Sequence, residues 1–401
     1  MKKIVLSALA ALTLGSVAAN ATTLYQDENG QVFTQPAEGR TEIKESTPLF
    51  SKSDKLKFSV LTYLGYTYDD YKTGLTANGT PYKSDTSDFE VRRAYFQVKA
   101  YLLDDPKSYY RITFDVSKDV TGDEKVRAKY AYLYLNNILP ATGIEVGLTH
   151  RPWHDYAEHN AWYYRSISKV LIEDKKHGPD LSNSADFGFL LKTKTKYFDA
   201  DYGLFNGEGY HSVSNGTGMS FEWRTTAHLL GVSGKDKQTK LTYLDASFFG
   251  QYNQGHKSVA VINPVTGVPT IEQQDLIFGG LHAVYNMPSF LIAAQYVYSD
   301  NTSDIVNNVS AQAGQGYSVN GEFRMGSDKQ YRILARYDAW TKEQTAGMPE
   351  PEDRGYIVGA AWHQNHNVEW VANVIVTDNE AGSVKEKENG TQYMVTAEVK
   401  F

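Results

Sequence analysis

Basic residues recur at alternate positions in several short segments of this sequence. Arg93 and Lys99 are an even number of positions apart in one alternating segment. Arg111 lies in the next alternating segment, where polar residues again occupy every second position. A guanidinium fork donates two parallel hydrogen bonds to a carboxylate or phosphate, so rows of such residues favour anion binding. Period-two alternation places these basic residues on one face: Lys57, Arg93, Lys99, Arg111, Arg224, His228, Arg324, Arg332 and Arg336. The acidic residues Asp115, Glu322, Asp338, Glu369 and Glu398 share that face.

The sequence contains none of the following catalytic or metal-binding motifs: Cys-based sites, zinc-binding histidine spacings, the nucleophile elbow and nucleotide-binding glycine loops. The chain contains no Cys, which excludes disulfides, thiolate nucleophiles and Cys-ligated metals. His154 and His159 are five residues apart and His363 and His366 three apart, and neither spacing matches a zinc motif. A Gly-x-Ser-x-Gly elbow, a phosphate loop and a dinucleotide-binding Gly motif are missing as well. We therefore expect no enzyme, no metal site and no cofactor.

The first residues resemble an export signal. Residues 1–21 contain two Lys, an apolar run and the small-x-small sequence Ala19-Asn20-Ala21, which predicts a cleaved signal peptide. The formal net charge of the whole chain is -7, and removal of the two Lys makes it -7 - 2 = -9. An acidic mature chain argues against nucleic-acid binding. Residues 22–50 are polar, without a recognisable helix or long strand, and are expected in the periplasm.

From residue 55 onward, apolar and polar residues alternate with period two, which predicts strands with one apolar face. In one of them, Tyr110, Ile112 and Phe114 alternate with Arg111 and Thr113. Sixteen such segments are predicted: 55–69, 88–102, 107–118, 125–137, 142–151, 185–195, 197–206, 221–234, 239–253, 273–287, 288–300, 315–327, 329–342, 353–365, 367–379 and 389–401.

The connections between these segments alternate in length. Every second one is a tight turn, such as 103–106, whereas those between are long, such as 70–87, 152–184 and 254–272. Outer-membrane barrels have this arrangement, with short periplasmic turns, long external loops and an even strand count. The sequence therefore predicts that residues 51–401 form a sixteen-stranded antiparallel transmembrane β-barrel in a bacterial outer membrane. The charged face then lines the lumen, and the apolar face contacts lipid.

Several short motifs, in their order and spacing, resemble the phosphate-selective porin O and P family. The motifs are residues 89–95, 104–105, 110–115, 144–147, 151–152 and 203–207. The resemblance runs along most of the barrel and implies a homotrimeric outer-membrane channel whose third external loop folds inward. Here the third long connection is 152–184, the longest of all.

Phosphate selectivity does not follow from the resemblance. Between residues 151 and 186, five positive charges face six negative ones. The positive ones are Arg151, Arg165, Lys169, Lys175 and Lys176, and the negative ones are Asp155, Glu158, Glu173, Asp174, Asp180 and Asp186.

The leading hypothesis is a porin for passive diffusion of small hydrophilic solutes or inorganic anions, surrounded by outer-membrane lipid. We predict these lumen residues: Arg93, Lys99, Arg111, Arg151, Arg165, Lys169, Arg224, Arg324, Arg332 and Arg336. Among them, Arg93, Arg111 and Arg151 are the best candidates for an anion-attracting wall. The competing interpretation of each Arg is an ion pair that merely satisfies the polar interior. The competing function is an outer-membrane barrel acting mainly as an adhesin or surface-binding protein.

Overall fold

The structure is a computed structural model, and its chain divides into two units, residues 1–54 and 55–401. It describes residues 25–27, 32–33, 35–42, 55–72, 83–102, 105–119, 121–211, 218–234, 238–262, 267–300, 312–343, 350–383 and 385–401. The predicted signal peptide, 1–21, lies outside the described residues, as does part of the predicted segment 22–50.

The first unit contains a small antiparallel sheet. Its strands are β1 (Tyr25–Asp27), β2 (Val32–Phe33) and β3 (Arg40–Glu42), arranged in the order β2-β1-β3. Each has only two or three residues, which is too short for alternation to be visible in the sequence.

The second unit is a closed barrel of sixteen strands. The strands are β4 (Leu56–Tyr71), β5 (Thr86–Tyr101), β6 (Tyr109–Lys118), β7 (Glu124–Leu139), β8 (Thr142–His150), β9 (Ala185–Lys194), β10 (Phe198–Phe205), β11 (Ser220–Leu230), β12 (Tyr243–Ile262), β13 (Pro269–Met287), β14 (Phe290–Asp300), β15 (Gly314–Met325), β16 (Tyr331–Lys342), β17 (Glu352–His363), β18 (Val368–Asn379) and β19 (Gly390–Lys400).

Each strand pairs antiparallel with the next, and β19 closes the barrel on β4. The closing register runs from Gly390 opposite Tyr71 to Lys400 opposite Leu61. Beyond it, the amide of Phe401 donates to the Val60 carbonyl (2.9 Å). The prediction of a sixteen-stranded antiparallel barrel is confirmed.

One predicted connection is much shorter than expected. The alternation predicts a loop at 254–272, but β12 and β13 continue through most of it and leave only 263–268 between them. The pairing shifts register after Asn253 and resumes at Lys257. This irregularity interrupts the alternation, which explains why the sequence pattern ended the strand early.

The two faces of the barrel differ as the alternation predicts. Phe248, Leu281 and Val358 are exposed apolar residues on the outer face. Their neighbours Ser247 and His282 are buried on the inner face. An apolar outer band with a polar interior is the arrangement of barrels that cross a lipid bilayer.

The long connection between β8 and β9 contains the helix α1 (Pro152–Asn160) and a 3-10 turn at Leu171–Glu173. Pro152 begins the helix, where its missing amide hydrogen costs no helical hydrogen bond. In the described part of the chain, no helix has the length and apolar character needed to span a membrane.

If the outer face contacts lipid, a charged side chain placed on it should destabilise the barrel, most strongly near the middle of the bilayer. Leu281 is 61% exposed and lies near the middle of the segment that pairs β13 with β14. We expect Leu281→Arg to lower the free energy of unfolding by about 2–4 kcal/mol, because the guanidinium must enter hydrocarbon. Denaturant titration in lipid vesicles measures this.

The matched control is Ser327→Arg, in the exposed turn between β15 and β16. There the same side chain stays in water, and we expect a change within about 0.5 kcal/mol. Equal destabilisation by both substitutions would contradict the assignment of Leu281 to the lipid.

Candidate functional site

The connection 151–184 contacts inward-facing side chains of strands far apart in the sequence. The Tyr156 hydroxyl donates to the carboxylate of Asp245 on β12 (2.8 Å). The side-chain amide of Asn320 on β15 donates to the Ala161 carbonyl (2.8 Å). The connection therefore lies inside the barrel, against the inner wall.

Apolar side chains fasten the connection to one side of the lumen. The ring of Trp153 stacks on Phe249 of β12, with centroids 3.7 Å apart and planes 2° from parallel. Trp162 lies under the guanidinium of Arg336 of β16, at 4.9 Å. Leu171 and Ile172 are fully buried in the same cluster. The cluster covers the inner wall along β12–β19, and Tyr156 extends this covered side to Arg224 of β11, at 4.7 Å.

A buried histidine links the end of the connection to β16. His177 Nε2 lies 2.9 Å from the Asp338 carboxylate and 3.6 Å from that of Asp174. Burial alone lowers the pKa of His177, but the two carboxylates outweigh burial and the nearby Arg336, so the pKa lies above its usual value. Gly355 makes room for this ring, since a Cβ there would lie 2.4 Å from it.

Predicted lumen cations on the covered side are buried in ion pairs. Arg224 is only 3% exposed, and its Nη2 lies 2.6 Å from the Asp201 carboxylate. The other pairs are Arg324 with Glu322, Arg332 with Glu369 and Arg336 with Asp338. For these residues the competing interpretation from the sequence, local ion pairing, describes the geometry.

Predicted cations of the connection are paired as well. Arg151 Nε donates to Glu222 (2.8 Å), and the residue is 1% exposed. Arg165 lies 2.7 Å from Glu158, and Lys169 lies 2.8 Å from Glu173. Carboxylates of the connection thus pair with Arg165 and Lys169, whereas Arg151 pairs with Glu222 of β11 and is not exposed beside Arg93 and Arg111.

The histidine pairs noted in the sequence have structural roles. Burial lowers the pKa of His154 to about 4, so this ring is neutral at pH 7, and its Nε2 lies 3.2 Å from the Ser182 carbonyl oxygen. His159 contacts Asp155 one turn earlier in α1, and His363 contacts Glu369. Among the described residues, no cluster of His, Asp or Glu could hold a metal ion.

The inner wall of β4–β7 differs from the covered side. Arg93 keeps 21% of its side chain exposed and lies 2.7 Å from Asp115. Lys99 is half-buried, with its ammonium 4.4 Å from the centre of the Tyr109 ring. Arg111 is also half-buried and bonds to Tyr132, Thr113 and the ring of His150, while no ion pair with a described carboxylate is formed.

Two further cations, which the alternation does not predict, point into the barrel. Arg92 is the extra residue of a bulge in β5, where Tyr63 pairs with Arg93 and Leu64 with Val91. Lys129 is likewise the extra residue of a bulge in β7. A bulge reverses the parity on one side of it, so alternation alone does not include these two side chains among the inward residues. A run of adjacent basic residues, as at 92–93, is a sequence signal for such a bulge.

Comparison with solved structures finds the same fold in outer-membrane proteins. A loop L8 deletion mutant of OmpT, an outer membrane protein of Vibrio cholerae, aligns with a TM-score of 0.56 at 12% identity, covering 86% of this chain and 99% of that one. The trimer form of in-vitro folded OmpT from Vibrio cholerae gives 0.55 at 11%, covering 86% and 100%. An anion-selective porin from Comamonas acidovorans gives 0.55 at 11%, covering 86% and 99%.

The chain is a porin-like β-barrel of the bacterial outer membrane. The closed strand order and the apolar outer band establish this architecture, and the structural neighbours share it. No protein-family model matches the sequence, and no curated protein matches it either. At 11–12% identity the neighbours show the fold alone.

The His177 contacts predict a pH-dependent attachment of the connection inside the porin-like barrel. The folded pKa is raised above the unfolded value of about 6.5, so this stabilisation is full below about pH 6.5 and is lost as the pH rises through the folded pKa. We expect the amides of 174–181 to exchange hydrogen faster at about pH 9 than at about pH 6, after correction for intrinsic rates.

His177→Gln should abolish this pH dependence, because Gln does not titrate. The matched control is His363→Gln, whose histidine contacts Glu369 and ends β17, eight residues after the Gly355 that adjoins His177, and it should keep the wild-type response. A pH response that survives in His177→Gln would contradict the role of this histidine.

Proposed function

We propose that the protein is a channel for passive diffusion of small hydrophilic solutes across the outer membrane, with a preference for anions. The observation that carries this proposal is the unequal inner wall. On the side covered by the connection, basic residues such as Arg224 are buried and paired with carboxylates. Along β4–β7, Arg93 and Arg111 keep accessible surface, and Arg111 has no carboxylate partner among the described residues.

Charges that line a pore set its selectivity, and basic residues favour anions. An ion pair contributes little net potential to a passing ion, whereas an unneutralised guanidinium contributes a full charge. The net charge of -7 would favour cations, but it belongs to the whole chain. The unneutralised basic residues of β4–β7 line the pore and therefore favour anions.

Narrower assignments belong to the same proposal. The resemblance to the phosphate-selective porin O and P family supports a homotrimer, and one structural neighbour is described as a trimer form. Phosphate selectivity itself has weaker support, because Glu158 and Glu173 neutralise the basic residues of the connection. We propose no catalytic activity, since the buried histidines are held by carboxylates or backbone in structural contacts.

Conductance in planar bilayers tests the channel directly. Purified full-length protein should give stepwise ion currents, and a salt gradient should give a reversal potential with the sign of anion preference. A folded barrel without current would contradict the proposal and favour the surface-binding alternative.

Substitutions in the wall of β4–β7 test its role in selectivity. Arg93→Gln and Arg111→Gln each remove one positive charge, and Arg93→Gln also leaves Asp115 without its partner. We expect both to move the reversal potential away from anion preference, with the double variant moving it further. The measurement is the zero-current potential in a chloride salt gradient.

The matched control for these variants is Arg354→Gln. Arg354 precedes the outward-facing Tyr356 by two residues and pairs with Glu352 and Glu380 on the same face. Its removal should leave the reversal potential unchanged. A shift equal to that of Arg111→Gln would indicate a general surface-charge effect and contradict a selective wall.

A further inference from the structure

Basic side chains along β4–β7 rest on tyrosine rings. Lys57 Nζ lies 5.3 Å from the ring centre of Tyr101, and the Arg111 guanidinium lies 4.6 Å from that of Tyr130. We call this surface the tyrosine-backed strip. Its residues are Lys57, Lys99, Arg111 and Lys129 with Tyr95, Tyr101, Tyr109, Tyr130 and Tyr132.

The rings of the strip form a connected aromatic surface. Tyr109 lies between Tyr101 and Tyr132, at centroid distances of 5.6 and 6.2 Å. Tyr130 meets Tyr132 edge-on at 6.4 Å. These separations are in the range at which aromatic rings attract one another. Tyr101 and Tyr109 keep accessible surface, so the strip offers a solute ring faces beside positive charge.

Three cations of the strip stand side by side across neighbouring strands. Lys57 of β4 is directly opposite Lys99 of β5, which is directly opposite Arg111 of β6. Like charges in directly opposite positions destabilise a sheet. Arg111 uses Nε and Nη1 in bonds to neutral groups, and Nη2 has no hydrogen-bond partner among the described residues. This free nitrogen of Arg111 is available to a bound anion.

Lys129 is the strongest single indication of a ligand. The residue is only 4% exposed, yet within the described chain its ammonium has no hydrogen bond and no ion pair. It lies 4.8 Å from the centre of the Tyr95 ring and 5.4 Å from that of Tyr130. Glu158 of the connection is already paired with Arg165. A buried ammonium that tyrosine rings surround and that has no direct ion pair is costly, and a solute anion would lower this cost.

We propose that the tyrosine-backed strip binds carboxylates that carry a planar apolar ring. The inference rests on the proposed channel function and names its substrate class. The carboxylate contacts Lys129 and the free Nη2 of Arg111, while the ring packs on tyrosine faces. Inorganic phosphate has no surface that would gain from these rings. Acetate supplies the charge without the ring and is the natural comparison.

Current block in planar bilayers tests the proposal with three probes: sodium benzoate, sodium acetate and inorganic phosphate at equal ionic strength. We expect benzoate to halve the chloride current at a concentration about tenfold lower than acetate, because ring packing adds to the shared carboxylate contact. Equal potency of benzoate and acetate, or stronger block by phosphate, would overturn the proposal.

Two variants distinguish the contribution of the positive charge to benzoate block from the contribution of the tyrosine rings. Lys129→Gln removes the ammonium and should raise the half-blocking benzoate concentration about tenfold. Tyr109→Leu removes a ring that contacts Tyr101 and Tyr132, and should reduce the ratio between benzoate and acetate. Arg354→Gln, on the outer face, is the control and should keep the wild-type ratio.

Calorimetry of benzoate binding to the detergent-solubilised full-length protein separates this inference from the channel proposal. Binding that Lys129→Gln weakens supports the site even if the protein carries no current, and only the channel proposal then fails. No heat of binding with wild-type protein would overturn the site, whatever the conductance.

Discussion

The constraint on which this structure depends is that backbone polar groups in hydrocarbon must be hydrogen-bonded within the protein. A sheet meets it only when its edges join, and here β19 joins β4 from Gly390 to Lys400. Strand geometry places successive side chains on opposite faces, and closure makes one face the lipid side and the other the enclosed side. The lipid side then takes apolar residues such as Leu281, and the enclosed side takes the polar and charged ones.

An enclosed polar wall creates a second requirement, because charges removed from bulk water need partners. The connection 151–184 meets part of this requirement, because its own side chains form ion pairs inside the barrel. Its apolar residues, led by Trp153 on Phe249, fasten it to one side of the lumen, where the wall pairs its own charges, as in Arg336 with Asp338. The position of the connection thus divides the interior into a neutralised side and the accessible wall of β4–β7.

The alternation in the sequence predicted all sixteen strands, because closure in lipid leaves period two as the dominant pattern. It also predicted that Arg224 and Arg336 point into the barrel. It could not predict their partners, since pairing depends on the register between strands. The inward orientation of Arg92 and Lys129 could not be predicted from the alternation either. Each lies at a bulge, and a bulge breaks the period of two from which the two faces are assigned.

These two bulges matter because they lie on the strands that flank β6. Each turns one extra cation inward on the wall of β4–β7, where Arg92 keeps accessible surface and Lys129 is buried. Arg92 finds a carboxylate, Glu90, at 3.3 Å, whereas Lys129 finds only tyrosine rings. Surface charges more than about 8–10 Å away are largely screened at physiological salt. A passing solute therefore responds to the excess positive charge beside it, and the acidic net charge of the whole chain has little influence on which ions enter.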